Sequence, residues 1–312
     1  MRVLLTGATG LLGWTLLQKM PTTWQVYVAL HSNRPLPRRF PHVHEVLMDL
    51  TAPEQVRAAA AIARPDVVIH TASIGDLDAN EREQAEAWQV NVEGTRALCE
   101  VTRPYNPYVI FCSTIYVFDG AAPPYAEMAS PAPINFYGRC KLAAEEIVRQ
   151  ISSRWLILRP NTTYGWHLPG QRRNWVTWLL SKLNHQQPVE VVDDVFNNYV
   201  WVGDVADVVL AGIAREATGV VHVGGPQSLS RYAFSLQIAD AFGYPRQLIA
   251  PAPSSRFSAL APRPRDTTCC ITRMQDELGV HPLSVSQGLD LMRRQETVRR
   301  QRGSEYHEWI FA

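Results

Sequence analysis

The stretch Arg2-Val-Leu-Leu-Thr-Gly-Ala-Thr-Gly-Leu-Leu-Gly13 decides the fold. Its apolar first half predicts a short strand, and residues 14–20 have the spacing of a helix. Strand, glycine turn and helix in this order are typical of a turn that binds a dinucleotide pyrophosphate at the helix N-terminus. A glycine turn without a ligand is the weaker alternative, because these glycines directly follow a strand. Gly7 permits the tight turn, Gly10 lets the backbone approach the pyrophosphate, and Gly13 lets the helix pack on the strand. The residues predicted to bind the cofactor here are Gly7, Thr9, Gly10, Leu11, Leu12 and Gly13.

The end of the second predicted strand, residues 24–30, bears on the choice of cofactor. A free ribose 2′-hydroxyl is usually met there by Asp or Glu, and this sequence has neither. Ser32, Asn33 and Arg34 instead offer hydroxyl, amide and guanidinium groups that suit a 2′-phosphate. The alternative is that Arg34, Arg38 and Arg39 form a solvated basic loop. We therefore expect NADP(H) to be preferred, with NAD(H) as the alternative.

Two further predicted strands, at 44–48 and 66–70, end in residues suited to the same cofactor. Asp49 follows the first of them, where its carboxylate can accept from an adenine amino group or belong to the N-cap region of a helix at 52–63. Small residues follow the second, as a backbone that passes close to a ligand requires. The cofactor-binding residues predicted from these strand ends, with one from a later strand, are Asp49, Leu50, Thr71, Ala72, Ser73 and Pro160.

Alternation of strands and helices up to about residue 165 predicts the fold class. Further strands are expected at 108–112 and 155–160, and a polar loop at 75–86. The pattern indicates an α/β fold with a doubly wound parallel sheet, and it changes after residue 165.

A hydroxyl, a phenol and an ammonium point to proton transfer at a carbonyl group. Ser113 and Thr114 follow the strand at 108–112, at the edge where parallel sheets bind ligands. Tyr137 and Lys141 are four residues apart on a predicted helix and so share one face. We expect the ammonium and the positive helix end to lower the pKa of the phenol. The Tyr-x-x-x-Lys spacing alone is weak evidence, and it gains force from the strand-end Thr114 and the opening glycines.

The other candidate site residues are polar groups in unusual places. Asn91 lies within a helix predicted at 87–101, either as a packing amide or as one that orders a water or a backbone near Lys141. Arg263 and Arg265 are candidates for a diphosphate clamp, with exposed loop residues as an equal alternative. The predicted substrate-binding residues are Thr114, Ile115, Asn161, Asn174, Trp175, Arg263 and Arg265.

Composition excludes several other classes of protein. With 46% hydrophobic residues the chain can build a sizeable core, and its formal charge of +1 argues against nucleic acid or an anionic membrane as the main partner. The five cysteines lack metal-ligand spacing, so we expect reduced thiols and no metal site. No apolar run approaches a membrane span, and a strand that begins at Arg2 leaves no room for a leader. We expect a cytoplasmic protein.

The motifs together resemble the extended short-chain dehydrogenase/reductases. Ser-Thr-Ile-Tyr-Val-Phe-Asp-Gly at 113–120, Pro-x-x-x-Tyr-Gly-x-x-Lys at 133–141 and Asn-Val-Glu-Gly-Thr at 91–95 are similar to the dTDP-4-dehydrorhamnose reductase branch. Leu-Ser-Arg-Tyr at 229–232 and Arg-Pro-Arg-Asp at 263–266 resemble it too. The branch often has Asp where Ile115 stands, which bears on sugar specificity.

This resemblance implies an NAD(P)-binding Rossmann domain, which we expect at 1–165 plus about 196–216, and a smaller C-terminal substrate-binding α/β domain, which we expect at 166–195 plus 217–312. It also implies roles for the three central residues. Tyr137 would be the catalytic acid, Lys141 its electrostatic partner and ribose anchor, and Thr114 the hydroxyl that polarises the substrate carbonyl. The expected reaction is NADPH-dependent reduction of a 4-keto-6-deoxy nucleotide sugar. The branch also includes a regulatory subunit of methionine adenosyltransferase, so an NADP-binding regulatory subunit is one alternative. A nucleotide-sugar epimerase or another carbonyl reductase is a further alternative, and a homodimer is compatible with each.

Overall fold

A parallel β-sheet organises the part of the chain described by this computed structural model, which comprises residues 1–32, 36–37, 40–168 and 171–301. The strands in chain order are β1 (Arg2–Thr6), β2 (Gln25–Leu30), β3 (Val43–Leu47), β4 (Val67–His70), β5 (Tyr108–Cys112), β6 (Arg154–Pro160), β7 (Thr163–Tyr164), β8 (Val189–Val192), β9 (Phe196–Asn197), β10 (Val200–Trp201), β11 (Gly219–Val223), β12 (Leu229–Ser230) and β13 (Ile249–Ala252). Within the described ranges, seven of them form one parallel sheet in the order β11-β6-β5-β4-β1-β2-β3. This order reverses beside β1, which confirms the predicted doubly wound α/β fold.

Helices cover the sheet and build the C-terminal part. The α-helices are α1 (Leu11–Lys19), α2 (Pro53–Ala63), α3 (Leu77–Arg82), α4 (Gln84–Trp88), α5 (Gly94–Thr102), α6 (Phe136–Ile151), α7 (Trp175–Asn184), α8 (Val202–Arg215), α9 (Arg231–Phe242), α10 (Thr272–Asp276) and α11 (Val285–Gln301). A π-helical turn, Gln89–Glu93, joins α4 to α5. Short 3₁₀ turns lie at Arg103–Tyr105, Ile115–Val117, Arg246–Leu248 and Ser254–Arg256.

The apolar residues of β1 alternate between the two faces of the sheet, as the period of a strand requires. Val3 and Leu5 pack in the core that includes α1 and α8. Leu4 packs in the core that includes residues of α2, α5 and α6. The sheet is thus buried on both faces, which is why its strands read as nearly continuous apolar runs.

A smaller core lies in the C-terminal part. It is formed by buried residues of α7, α9 and α11 together with β8 and β13, which pair in parallel. The main sheet, however, takes in β11, which our expected division placed in the substrate-binding domain. Residues 219–223 therefore go with the sheet, because β11 pairs with β6 along its whole length.

The polar loop predicted at 75–86 is wrong, because this segment forms α3 and most of α4. Asp76 caps α3 by accepting a hydrogen bond from the Ala79 backbone N–H at 2.8 Å. Asn80 is fully buried beneath the helix, and its amide donates to the Ile74 carbonyl at 2.9 Å. A cap and a buried amide thus stabilise a helix that has few apolar residues.

Among the described residues, no helix has both the length and the apolar composition that a membrane crossing requires.

Candidate active site

The glycine turn between β1 and α1 packs so closely against neighbouring atoms of the protein that side chains at two of its glycines would clash. Gly7 has a φ of +71°, in the left-handed region, and a Cβ there would lie 2.6 Å from Thr71 Oγ1. A Cβ on Gly13 would lie 2.2 Å from the Gly7 carbonyl oxygen. Gly10 is the N-cap of α1 and offers no side chain to cap the helix. Backbone N–H groups at this helix end are therefore available to an anion, which fits the pyrophosphate of a dinucleotide.

The neighbouring strand ends place the other predicted cofactor residues. Thr71 hydroxyl donates to the Thr6 carbonyl at 2.7 Å, so the segment after β4 lies against the end of β1. The Asp49 carboxylate accepts from the backbone and hydroxyl of Thr51, and these hydrogen bonds hold its pKa below the usual range. The N-cap of α2 is Ala52, so Asp49 lies in the turn that precedes the helix.

The remaining predicted cofactor residues are placed as follows. Ser32 is exposed, and Leu50 is buried against Gly94. Pro160 is the last residue of β6. Asn33, Arg34, Arg38 and Arg39, and the tail at 302–312, lie outside the described residues.

Thr114, Tyr137 and Lys141 come together at the carboxyl end of β5. Thr114 is buried and caps the 3₁₀ turn that follows it. Asn135 is the N-cap of α6: its side chain accepts from the Gly138 N–H at 2.8 Å and so fixes the start of the helix that carries the other two residues. The Thr114 and Ser73 side chains lie close enough to the Tyr137 hydroxyl to influence its pKa. A phenol with two hydroxyl neighbours thus lies beside the sheet edge that binds ligands.

Burial controls the charge state of this group of residues. It raises the pKa of Tyr137 well above the ordinary value, while the Thr114 and Ser73 hydroxyls act in the opposite direction. The net shift is thus opposite to the one that we expected from the ammonium and the helix end, because loss of solvent has the largest effect on this pKa. Burial also lowers the pKa of Lys141 to about 8. Its Nζ lies 4.1 Å from the ring centroid of Phe111, a cation–π contact.

Asn91 lies in the π-helical turn and holds a loop backbone. Its Oδ1 accepts from the Ile74 N–H at 2.8 Å, and its Nδ2 donates to the Ile74 carbonyl at 3.2 Å and to Asn80 Oδ1 at 3.1 Å. Of the two readings of the sequence, the geometry favours an amide that orders a backbone. The segment it orders directly follows Ser73.

A buried ion pair behind Thr114 escaped the sequence reasoning. Glu145 is fully buried and receives two hydrogen bonds from Arg159, at 2.9 and 2.7 Å, and one from the Ser113 hydroxyl at 2.5 Å. These contacts lower the pKa of the carboxyl although burial opposes them. The sequence held one indication of Glu145: it lies four residues after Lys141, one helical turn further along the same face.

Three predicted substrate-binding residues have contacts within the protein. Asn161 is buried, and its amide donates to the Thr267 carbonyl at 2.8 Å. Asn174 caps α7, and Trp175 donates from Nε1 to the Ser235 hydroxyl at 2.9 Å. Each of these residues therefore has a structural function. That it also contacts the substrate stays a prediction.

The candidate clamp arginines differ in their surroundings. Arg263 pairs with Asp78 at 3.0 Å, whereas the Arg265 side chain is exposed. Ile115 is only 1% exposed and packs in an apolar cluster, so it fills the core beside Thr114.

Comparison with known proteins shows similarity over most of the chain. A family profile described as the RmlD substrate binding domain matches residues 1–297. The chain is 31% identical over 267 residues to a probable dTDP-4,6-dihydroxy-2-methyloxan-3-one 4-ketoreductase from Streptomyces antibioticus, with 85% of each chain covered. It is 31% identical over 271 residues to methionine adenosyltransferase 2 subunit beta from Xenopus laevis, with 84% of this chain and 78% of that one covered. The crystal structure of dTDP-4-dehydrorhamnose reductase from Bacillus anthracis in complex with NADP has a TM-score of 0.81 and 25% identity, with 94% of this chain and 99% of the other covered.

Proposed function

Because the chain belongs to the RmlD substrate binding domain family of extended short-chain dehydrogenase/reductases, we propose that it is an NADPH-dependent reductase of a 4-keto-6-deoxy nucleotide sugar. The observation that carries the proposal is the convergence of Thr114, Tyr137 and Lys141 at the end of β5, on the sheet edge that also carries the glycine turn. Two relatives, from Streptomyces antibioticus and Bacillus anthracis, are named as reductases of dTDP-linked compounds, which supports this substrate class.

We propose that the cofactor lies across the glycine turn and along the segment 71–73. The close packing at Gly7 and Gly13 shapes the turn, and the backbone N–H groups at the start of α1, which no side chain caps, suit a pyrophosphate. The preference for NADP(H) rests on the groups at 32–34 and on the NADP complex of the relative from Bacillus anthracis. In this proposal residues 1–165 plus 196–223 form the cofactor-binding part, and the remainder binds the nucleotide sugar.

The side chains of the site supply the proton chemistry. When bound, NADPH would supply the hydride that reduces the keto carbon. Tyr137 donates its proton to the keto oxygen, and the Thr114 hydroxyl stabilises the same oxygen as negative charge develops. Because burial raises the pKa of Tyr137, the phenol holds its proton at neutral pH, as the acid in a reduction must. The ammonium of Lys141, one helical turn away, then stabilises the phenolate.

Replacement of the phenol hydroxyl tests this function. Tyr137→Phe should lower the rate of NADPH oxidation with dTDP-4-dehydrorhamnose by about 10²- to 10⁴-fold, because a general acid is lost. The affinity for NADPH should change little. Loss of absorbance by NADPH measures the rate, and Tyr105→Phe, at an exposed tyrosine in a 3₁₀ turn, is the matched control. A wild-type protein that binds NADPH but oxidises none of it with any 4-keto-6-deoxy nucleotide sugar would contradict the proposal.

A regulatory function is the second candidate, supported by the 31% identity to methionine adenosyltransferase 2 subunit beta. Under this alternative, the chain would form a stoichiometric complex with a methionine adenosyltransferase, measured by size-exclusion chromatography with light scattering. Tyr137→Phe would then leave the complex and its effect on the partner unchanged.

A further inference from the structure

His70, which the sequence reasoning did not single out, lies at the centre of a buried chain of hydrogen bonds. It is the last residue of β4 and only 1% exposed. Its Nδ1 lies 2.7 Å from Thr6 Oγ1 on β1, and its Nε2 lies 3.0 Å from Thr95 Oγ1 on α5. The imidazole therefore links the sheet to the helix that follows the π-helical turn.

The neighbours of the imidazole determine where its proton lies. Thr95 donates its one hydroxyl hydrogen to the Asn91 carbonyl at 2.8 Å, so its oxygen accepts from His70 Nε2–H. Nδ1 is then the acceptor and receives the Thr6 hydroxyl hydrogen. Thr6 Oγ1 in turn accepts the N–H groups of Thr71 and Ala72, at 3.2 and 3.1 Å. Each hydroxyl and N–H hydrogen in this chain of hydrogen bonds therefore has one position, and the imidazole is neutral.

The same chain of hydrogen bonds reaches the backbone on both sides of Ser73. On one side, Thr6 holds the N–H groups of Thr71 and Ala72. On the other, Asn91 holds both the N–H and the carbonyl of Ile74. Ser73 itself lies beside the phenol of Tyr137, close enough to influence its pKa. The π-helical turn that carries Asn91 matches the tendency of such turns to occur at functional sites.

We propose that His70 is a positioning residue: as a neutral, Nε2-protonated imidazole it fixes the backbone of 71–74, and through it the cofactor wall and the Ser73 hydroxyl beside Tyr137. This inference rests on the proposed function of Tyr137 and of the segment 71–73. A charged imidazole would present a second N–H to Thr6 and break the order of the chain. Burial and the nearby ammonium of Lys141 oppose that charge and lower the pKa of His70 to about 3. The Phe111 ring, 5.5 Å away between centroids, covers the imidazole without offering a charge.

The tautomer can be measured without any enzymatic activity. Nitrogen NMR of the full-length protein labelled at histidine, assigned with His70→Gln, should show a neutral, Nε2-protonated His70 from about pH 5 to about pH 8. An Nδ1-protonated ring, an average of the two tautomers or a titration within this range would overturn the proposal. This readout is decisive even if the chain reduces no keto sugar, which separates the two proposals.

Substitutions then test whether this chain of hydrogen bonds affects NADPH binding and the rate of the proposed reaction. In His70→Gln the amide can keep a donor toward Thr95, but it has no acceptor atom at the position of Nδ1 for the Thr6 hydroxyl. The factor by which this substitution weakens NADPH binding should be about 10 times the factor by which it lowers kcat. Thr95→Val removes the link to Asn91 and should lower kcat about 10-fold with a smaller change in NADPH affinity. Fluorescence titration gives the affinity, and NADPH oxidation gives kcat.

Thr102→Val is the matched control. Thr102 is a buried threonine on the same helix that donates to the carbonyl four residues back, at 2.7 Å, as Thr95 does. It should leave both parameters within about twofold. The positioning role is overturned if folded His70→Gln and Thr95→Val also stay within this limit, or if all three variants lose the same parameter equally. If His70→Gln does not fold, the NMR measurement on the wild type, assigned by other means, and Thr95→Val decide the proposal.

Discussion

At the scale of single residues, the candidate site depends on groups whose pKa values burial shifts from the ordinary ones. Tyr137 and Lys141 were found from the spacing of the sequence, because a helix places such a pair on one face. The direction of the phenol's pKa shift was not predictable, because it depends on how much solvent the folded chain removes. The pairing of Glu145 with Arg159 was also not predicted, because it joins a helix to a strand and so depends on the folded structure.

The buried ion pair allows a stability prediction. Glu145→Gln should lower the free energy of unfolding by about 3–5 kcal/mol, because Arg159 would remain buried without its counter-charge. Urea denaturation measures the change. Glu146→Gln is the control, since Glu146 is the next residue and pairs with Arg149 but is 55% exposed. It should change stability by at most about 1 kcal/mol. Equal effects of the two substitutions would show that burial of the pair is unimportant.

At the scale of elements, the predictions succeeded where a hydrophobic period was present and failed where capping and buried amides decided the structure. The run before Gly7 gave β1 to the residue, whereas α1 begins at Leu11, three residues before the helix predicted at 14–20. Helix α3 was missed because its sequence is polar, and its stability comes from Asp76 and from the buried Asn80. The latter contacts join distant positions and leave no periodic signal.

The junction between β1 and α1 gives an element-scale prediction. Gly13→Ala should lower stability by about 3 kcal/mol and weaken NADPH binding, because the added Cβ would lie 2.2 Å from the Gly7 carbonyl and push α1 off the strand. Thermal unfolding and fluorescence titration measure the two effects. Gly75→Ala is the control, since its Cβ would come no nearer than 3.9 Å to Ser73 Oγ. A Gly13→Ala protein as stable as the control would mean that the close packing is unnecessary.

At the scale of the whole molecule, the doubly wound class of sheet followed from the sequence, but the place of β11 in that sheet did not. Alternation of strands and helices predicts a doubly wound sheet. That β11 completes this sheet depends on its pairing with β6, about 60 residues earlier in the chain, and no local pattern records such a pairing. The substrate contacts of Asn161, Asn174 and Trp175 stay predictions, since all three residues have partners inside the protein.

Stability of the whole molecule should carry a pH dependence from Lys141. Its pKa is about 8 in the folded protein against an ordinary 10.5. Between these values the unfolded chain binds more protons, so this residue's contribution to stability rises as pH increases. The difference in unfolding free energy, wild type minus Lys141→Met, should therefore rise by about 2 kcal/mol between about pH 7.5 and about pH 9.5. The comparison cancels the opposing effect of the buried cysteine thiols, whose pKa values are raised. A constant difference would show that Lys141 is charged to the same extent in both states.

The late arrival of β11 also has a consequence for synthesis of the chain. A ribosome delivers β1 to β6 first, and the outer edge of β6 has no partner strand until residues 219–223 emerge. An unpaired edge of this kind is a template for pairing with other chains, and parallel pairing across a long loop is slow. The nascent protein therefore passes through a period, while residues 161–218 are made, in which its nearly complete sheet is open to aggregation and to capture by chaperones.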